Sequence, residues 1–221
     1  MDLYDVMRTT FACREFTDDP VPDAVLAHIF ENARFAPSGG NRQGNFVIVV
    51  RDQATKDMLG EAARPAGKLY TAQNKAGESP WNSIRPTKVT PEVEAATEVP
   101  AHLTEPAKKA PVVLVFCVDL QVVASTDKNL ERVGVISGGS IYPFVWNALL
   151  AARNEGFGGT ITTLAVAQEP KLQQALNIPS HVAIAAIVPL GKPAKQLSKL
   201  RRRPVEDIVR LERFDGAPFK G

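Results

Sequence analysis

Four stretches of this chain carry side chains for which a packed core has no use. The first is Ala36-Pro37-Ser38-Gly39-Gly40-Asn41-Arg42-Gln43. Paired glycines expose backbone N–H groups and let a flat ligand come close to the chain. Ser38, Asn41 and Gln43 add the mixture of donors and acceptors that a ring with imide edges requires. A plain turn would need the glycines but not this density of amides. The second stretch is Phe11-Ala12-Cys13-Arg14-Glu15-Phe16. Arg14 beside small residues suits a forked, charge-assisted contact with a phosphate, although an ordinary surface arginine would look the same. The third, Gly156-Phe157-Gly158-Gly159-Thr160-Ile161-Thr162-Thr163, joins glycines to hydroxyls and fits either a cofactor cradle or a threonine-rich strand. The fourth, Arg201-Arg202-Arg203, is a second candidate phosphate ligand or a solvated charge run.

The remaining residues narrow the chemistry. His28, His102 and His181 are scattered, and neither they nor the cysteines have metal-ligand spacing, so no metal site is predicted. Gly-x-Ser-x-Gly, a Walker-type loop and Gly-x-Gly-x-x-Gly are all missing. No side chain is therefore assigned as catalytic, and a bound cofactor is expected to carry the hard chemistry. Cys13 and Cys117 are too few for a disulfide scaffold and read as buried free thiols, which points to a reducing, cytoplasmic setting. Lys and Arg number 26 against 24 Asp and Glu, a balance that argues against nucleic-acid binding. No apolar run reaches the roughly 18 residues of a membrane span, and Met1 to Asp5, with two acids, does not read as a secretory signal.

The elements that must position these residues follow from periodicity. A chain of 221 residues fits one domain, taken as residues 1–221. Helices are predicted over Pro22 to Ala36, Gln53 to Arg64, Gly134 to Asn154 and Pro170 to Leu176, the third kinked at Pro143. Strands are predicted at Asn45 to Val50, Val112 to Asp119 and Val182 to Leu190, with Thr160 to Thr163 a short extended piece. Between Pro65 and Pro111 lie seven prolines and no long apolar period, so only short helices are expected there. This segment reads as a mobile lid in preference to a plain solvated insertion. The tail, residues 192–221, is basic and then polar around Phe214 and Phe219, with too little apolar surface for its own core, so it should wrap another surface. The order of elements argues for an α+β fold around a central sheet.

Taken in order, the motifs resemble the FMN-dependent nitroreductase family, and within it the branch of the iodotyrosine deiodinases. The resemblance rests on Arg14-Glu15-Phe16-Thr17 with Pro20-Val21-Pro22, the Ala36 to Gln43 stretch, Asn147 to Ala152 leading to Gly156, Leu190-Gly191-Lys192-Pro193, and Arg201 to Val209. It covers nearly all of the chain outside Pro65 to Pro106. It implies a mixed or antiparallel sheet flanked by helices, a C-terminal arm (192–221) swapped between subunits, and a homodimer with FMN at the interface. It places Arg14 and Arg202 on the FMN phosphate, Ser38 and Gly39 along the flavin, and Asn41 and Gln43 at its polar edge. Thr162 and Thr163 would meet the ring near N5, and Gly40 would turn its N–H toward a substrate. The first motif departs from the family: Thr10, Phe11 and Ala12 stand where basic residues and a serine are usual, with Arg8 the nearest substitute.

The activity so implied is electron transfer from NADH or NADPH through FMN to nitroaromatic, quinone or related small-molecule acceptors, donor and acceptor sharing one site in ping-pong fashion. Two alternatives stay open: reductive dehalogenation of halophenols, and flavin binding without catalysis. The deiodinase branch clamps its substrate with a lid Glu, Tyr and Lys. Tyr70, Lys75 and Glu78 lie in the corresponding region in a different order.

Overall fold

The computed structural model describes residues 1–220. At its centre four strands pair antiparallel in the order β1-β2-β4-β3: β1 (Asn45–Val50), β2 (Val112–Asp119), β3 (Gly158–Gly159) and β4 (Val182–Gly191). β2 is buried along almost its whole length, which is why its sequence is continuously apolar rather than alternating. Its side chains still divide by the two-residue period. Leu114, Phe116 and Val118 enter one core, and Val113, Val115 and Cys117 enter the other. β1 is an edge strand, so Phe46 and Val49 are exposed although they read as strand formers.

Along the chain the helices are α1 (Leu3–Thr9), α2 (Asp23–Ala33), α3 (Gln53–Ala62), α4 (Arg64–Lys75), α5 (Pro91–Ala96), α6 (Glu105–Lys109), α7 (Tyr142–Asn154), α8 (Glu169–Leu176) and α9 (Val205–Ile208). α2 and α7 cover one sheet face, where Phe144 meets Phe116 edge to face at 5.6 Å. α3, α6 and α8 supply Leu59, Ala107 and Leu172 to the other face. α7, apolar around most of its girth in sequence, meets the first core with one stripe, Phe144, Val145, Ala148, Leu149 and Ala152, and leaves Tyr142 and Trp146 exposed.

Three expectations need correction. α2 stops at Ala33 instead of Ala36, because a residue before proline avoids helical backbone and Pro37 follows. α7 begins at Tyr142, not Gly134, and Pro143 occupies its first turn. There the missing N–H has no intrahelical partner to lose, so no kink arises. The proline-rich segment contains the twelve-residue helix α4, which is more than a short helix. Pro65 sits in its first turn and initiates it. Its buried face is Ala66, Gly67, Thr71, Ala72 and Gln73, small and polar residues that give no apolar period to read.

Beyond Pro193 the arm is exposed almost throughout; Phe214 is 99% accessible. Within the described residues of one chain it covers no core. Among those residues no helix is long and apolar enough to cross a membrane.

Candidate functional site

Backbone pairing carries Arg14 to the threonine stretch. Ala12 bridges Gly159 in parallel, and the Cys13 N–H donates to the Gly159 carbonyl at 3.0 Å. Just beyond, the Thr17 N–H donates to the Lys192 carbonyl and the Ala194 N–H to the Glu15 carbonyl, at 2.9 and 3.0 Å. Arg14 is thereby suspended between β3 and the exit of β4. On the other side, Gly159 pairs with Leu190, and Thr162 exchanges both backbone bonds with Ile187 at 3.0 and 2.9 Å. Pro189 lies between these contacts and has no N–H to offer. The ladder breaks there, so the expected extended piece, Thr160 to Thr163, is reduced to a single bridge at Thr162. Arg14, Thr160, Thr162, Thr163 and Tyr70 line a cavity of about 190 Å³.

Gly159 is where this assembly has no slack. A Cβ there would stand 2.6 Å from the Pro189 carbonyl oxygen and 3.1 Å from a Val188 methyl. Gly159→Ala is expected to cost about 1–3 kcal/mol through overpacking, seen as a lower Tm. It should also displace Arg14, which hangs from the same backbone; an unchanged Tm would show that β3 has room to spare.

Cys13 and Cys117 are free and buried, and burial pushes both thiols up to about 11. Cys13 is therefore no competing anion beside Arg14. Thr10 is buried and donates its hydroxyl to the Val6 carbonyl at 2.8 Å. Arg8 stands over the Tyr4 ring, 5.7 Å from its centroid.

The Ser38 loop is built by its own groups. The Ser38 Oγ accepts from the Gln43 N–H at 3.0 Å, the Ser38 carbonyl accepts from the Asn41 N–H at 2.8 Å, and the Arg42 guanidinium donates to the Val122 carbonyl at 3.4 Å. The Gly39 N–H donates to Ser140 Oγ at 3.2 Å. It is thus already engaged, contrary to the expectation that both glycines present open N–H groups. Gly40, Asn41 and Gln43 have φ of 62°, 53° and 51°. Left-handed backbone at two non-glycine residues within four positions is a local cost that concentrates at functional sites. The side chains of Asn41 and Gln43 are left facing solvent.

The two groups of residues lie at opposite ends of the sheet. The Ser38 loop leads into Asn45, which faces Val118 and, through it, Ala183. Arg14 and the threonines stand by Ile187 to Leu190. At about 3.3 Å per residue the separation along β4 is roughly 13 to 23 Å. One subunit thus gathers Arg14, Thr162 and Thr163 into one place and Ser38, Gly39, Gly40, Asn41 and Gln43 into another. Arg202 joins neither; it lies on the exposed arm, its guanidinium donating to the Arg201 carbonyl at 2.7 Å.

Residues 7–192 match the model of the nitroreductase family. The chain belongs to that family. It is an oxidoreductase. It is similar to the NADH dehydrogenase of Thermus thermophilus, 30% identical over 197 residues that span 89% of each chain. It also resembles the iodotyrosine deiodinase of Nematostella vectensis, 25% identical over 96% of this chain and 75% of that one. The same fold occurs in a crystal structure of oxidized iodotyrosine deiodinase bound to FMN and 3-iodo-L-tyrosine. The TM-score is 0.69 at 21% identity, covering 96% of this chain and all of the other.

In this nitroreductase the cavity is basic and hydroxyl-rich. Among the described residues its lining holds no carboxylate and no thiol, and no three His, Cys, Asp or Glu side chains are grouped to hold a metal ion. Of the candidate lid residues, Tyr70 reaches the cavity from α4. Trp81, which no motif singled out, joins Tyr70 and Thr163 around an adjoining apolar pocket of about 530 Å³. The only sequence signal for Trp81 is a large aromatic inside the polar turn Ser79-Pro80-Trp81-Asn82. Glu78, a candidate for clamping a substrate ammonium, has both oxygens engaged, accepting from the Lys88 N–H and the Thr87 hydroxyl at 2.7 Å each.

Proposed function

We propose that this nitroreductase is a homodimeric, FMN-dependent enzyme that takes electrons from NADH or NADPH and delivers them to nitroaromatic, quinone or related acceptors. The observation that carries this reading is the division of the candidate residues into two clusters at opposite ends of one sheet. Each cluster is half of a flavin site. A cavity of about 190 Å³ falls short of the roughly 300–1,000 Å³ of a ligand pocket. A two-fold axis that sets the Arg14 cluster of one subunit against the Ser38 loop of its partner completes the enclosure.

The donor set fits FMN. Arg14 offers a fork to the phosphate, and Thr162 and Thr163 offer hydroxyls beside a wall formed by Pro189 and Ile187. Asn41 and Gln43, held in left-handed backbone, project amides toward the ring's polar edge, where donors favour developing negative charge. Ser38 and Gly39 line the ring, and the Gly40 N–H faces a substrate. Arg202 reaches the phosphate only if the arm, residues 192–221, crosses to the partner and buries its exposed phenylalanines there. When bound, FMN supplies a two-electron carrier; this chain supplies position, polarity and exclusion of water. Residues 65–111 serve as the lid, and donor and acceptor use the same face in turn, which gives ping-pong kinetics. Two buried free thiols suit a reducing cytoplasm.

Reductive dehalogenation is the second reading, favoured by Tyr70 in the cavity and by the deiodinase relatives, and weakened by the engaged Glu78. The test is the visible spectrum of the purified protein followed by anaerobic titration. A flavin spectrum bleached by a reduced nicotinamide and restored by a quinone is the expected result. Colourless protein that takes up no added FMN overturns the proposal. Recovery with a halotyrosine but not a quinone selects dehalogenation, and bound flavin that no nicotinamide reduces selects a binding protein.

A further inference from the structure

We infer that the polar cavity between α4 and the 79–88 turn binds the terminal 2′-phosphate of a phosphorylated nicotinamide donor, so that NADPH is preferred to NADH. This rests on the oxidoreductase reading above and adds a site to it.

The cavity, about 450 Å³, is lined by Gln73, Glu78, Asn82, Arg85 and Lys88. The polar groups of the turn are spent on building it. Gly77 reverses the chain at φ 73°, and the Asn82 N–H donates to the Ser79 carbonyl at 3.3 Å. Asn82 Oδ1 accepts from the Ile84 and Arg85 N–H groups at 2.8 Å each. The Glu78 carboxylate is closed by Lys88 and Thr87, as described, and these bonds hold it below the usual carboxylate range. Gln73 is 5% exposed, and its Oε1 accepts from the Trp81 N–H at 2.9 Å. That bond sets the amide orientation and leaves its NH₂ group as the remaining donor.

Against one carboxylate, Glu78, which stays ionised with both oxygens accepting from within the turn, the lining sets two cations, Arg85 and Lys88, and the Gln73 donor. The Arg85 guanidinium and the Lys88 ammonium form no ion pair among the described residues. A monoester phosphate near neutral pH carries about −1.5 to −2 charges and three acceptor oxygens. A fork from arginine plus a lysine point charge matches it.

Position decides which phosphate this is. Tyr70 and Gln73 stand three residues apart on α4 and so share one side of it. Tyr70 lines the Arg14 cavity and the apolar pocket; Gln73 lines the basic cavity. Pro80 and Trp81 face the apolar pocket, whereas Ser79 and Asn82 face the basic one. The Arg14 cavity and the apolar pocket share Tyr70, Thr163 and Leu164, and the apolar pocket meets the basic cavity along the Ser79 to Asn82 turn, which puts Thr163 and the two cations on either side of the apolar pocket. The middle pocket, walled by Tyr70, Pro80, Trp81 and Leu164, contains no cation. A donor whose nicotinamide reaches Thr163 places its adenosine end over Trp81 and its last phosphate by Arg85 and Lys88. NADH has no anion at that end.

The test compares adenosine 2′,5′-bisphosphate with 5′-AMP by calorimetry on the purified, flavin-loaded protein, beside anaerobic flavin reduction by each nicotinamide. The bisphosphate is expected to bind about 10- to 100-fold more tightly, and NADPH to reduce the flavin with an advantage of the same order. Arg85→Ala with Lys88→Ala should erase both preferences while leaving reduction by NADH unchanged; neither side chain is part of the fold's bonding. Arg85→Lys with Lys88→Arg should retain part of them. Equal binding of the two nucleotides, or a preference that survives the double alanine variant, overturns the site and leaves the oxidoreductase reading standing. Flavin that neither nicotinamide reduces overturns that reading, and the donor preference with it.

Discussion

Replacing Arg14 with alanine is expected to weaken FMN binding by about 1.5–3 kcal/mol, or about 10- to 150-fold. The guanidinium is the one cation in the cavity lined by Thr160 to Thr163, and a phosphate held there loses a forked, charge-assisted contact. The fold should survive the change. The Arg14 guanidinium's bond within the chain is to the nearby Ala12 carbonyl at 3.3 Å, and the Cys13 N–H that docks the segment on Gly159 is untouched. Arg14→Lys keeps the charge without the fork and should recover part of the loss. Fluorescence titration with FMN measures this directly. Undiminished affinity in Arg14→Ala would return Arg14 to the status of a surface arginine.

The second large effect is expected from mixing two damaged chains. One carries Arg14→Ala; the other carries Asn41→Gly and Gln43→Gly. Glycine accepts the left-handed backbone of those two positions, so the loop keeps its path while its amides are removed. Each variant alone should retain little activity, because every site in its homodimer lacks one half. Random pairing gives hybrids in half of the dimers, each with one undamaged site, so about a quarter of wild-type activity should return. This outcome requires the two clusters to act across an interface. If mixing restores nothing while both variants remain dimeric, each subunit builds its site alone, and the separation along β4 would need another explanation.

The legible parts of the fold share a physical character. β1, β2 and β4 were recognisable because β-branched runs bounded by turn residues leave little else for the backbone to do, and burial of β2 on both faces is written as unbroken apolarity. α2 was visible through its apolar spacing. α4 was not, since its buried face consists of alanine, glycine, threonine and glutamine, which pack a helix closely without a large apolar signal. The start of α7 was misplaced because Pro143 is compatible with both a kink and a first turn, and only the packing of Ile141 and Phe144 into the core selects the second.

The same division holds for the site. Local composition by itself singled out the candidate segments, because glycine pairs, clustered amides and an arginine among small residues have no use in a core. The order of elements gave the α+β class, and the resemblance carried by five motifs in order gave the family that the match over residues 7–192 bears out. Only the tertiary structure decided which segments meet. The break at Pro189 opens space beside Thr162, Gly159 brings Arg14 to that space, and the antiparallel register sends the Ser38 loop to the far end of the sheet. Register is a property of paired strands that lie some sixty residues apart in the chain, and no local pattern encodes where their ends will lie.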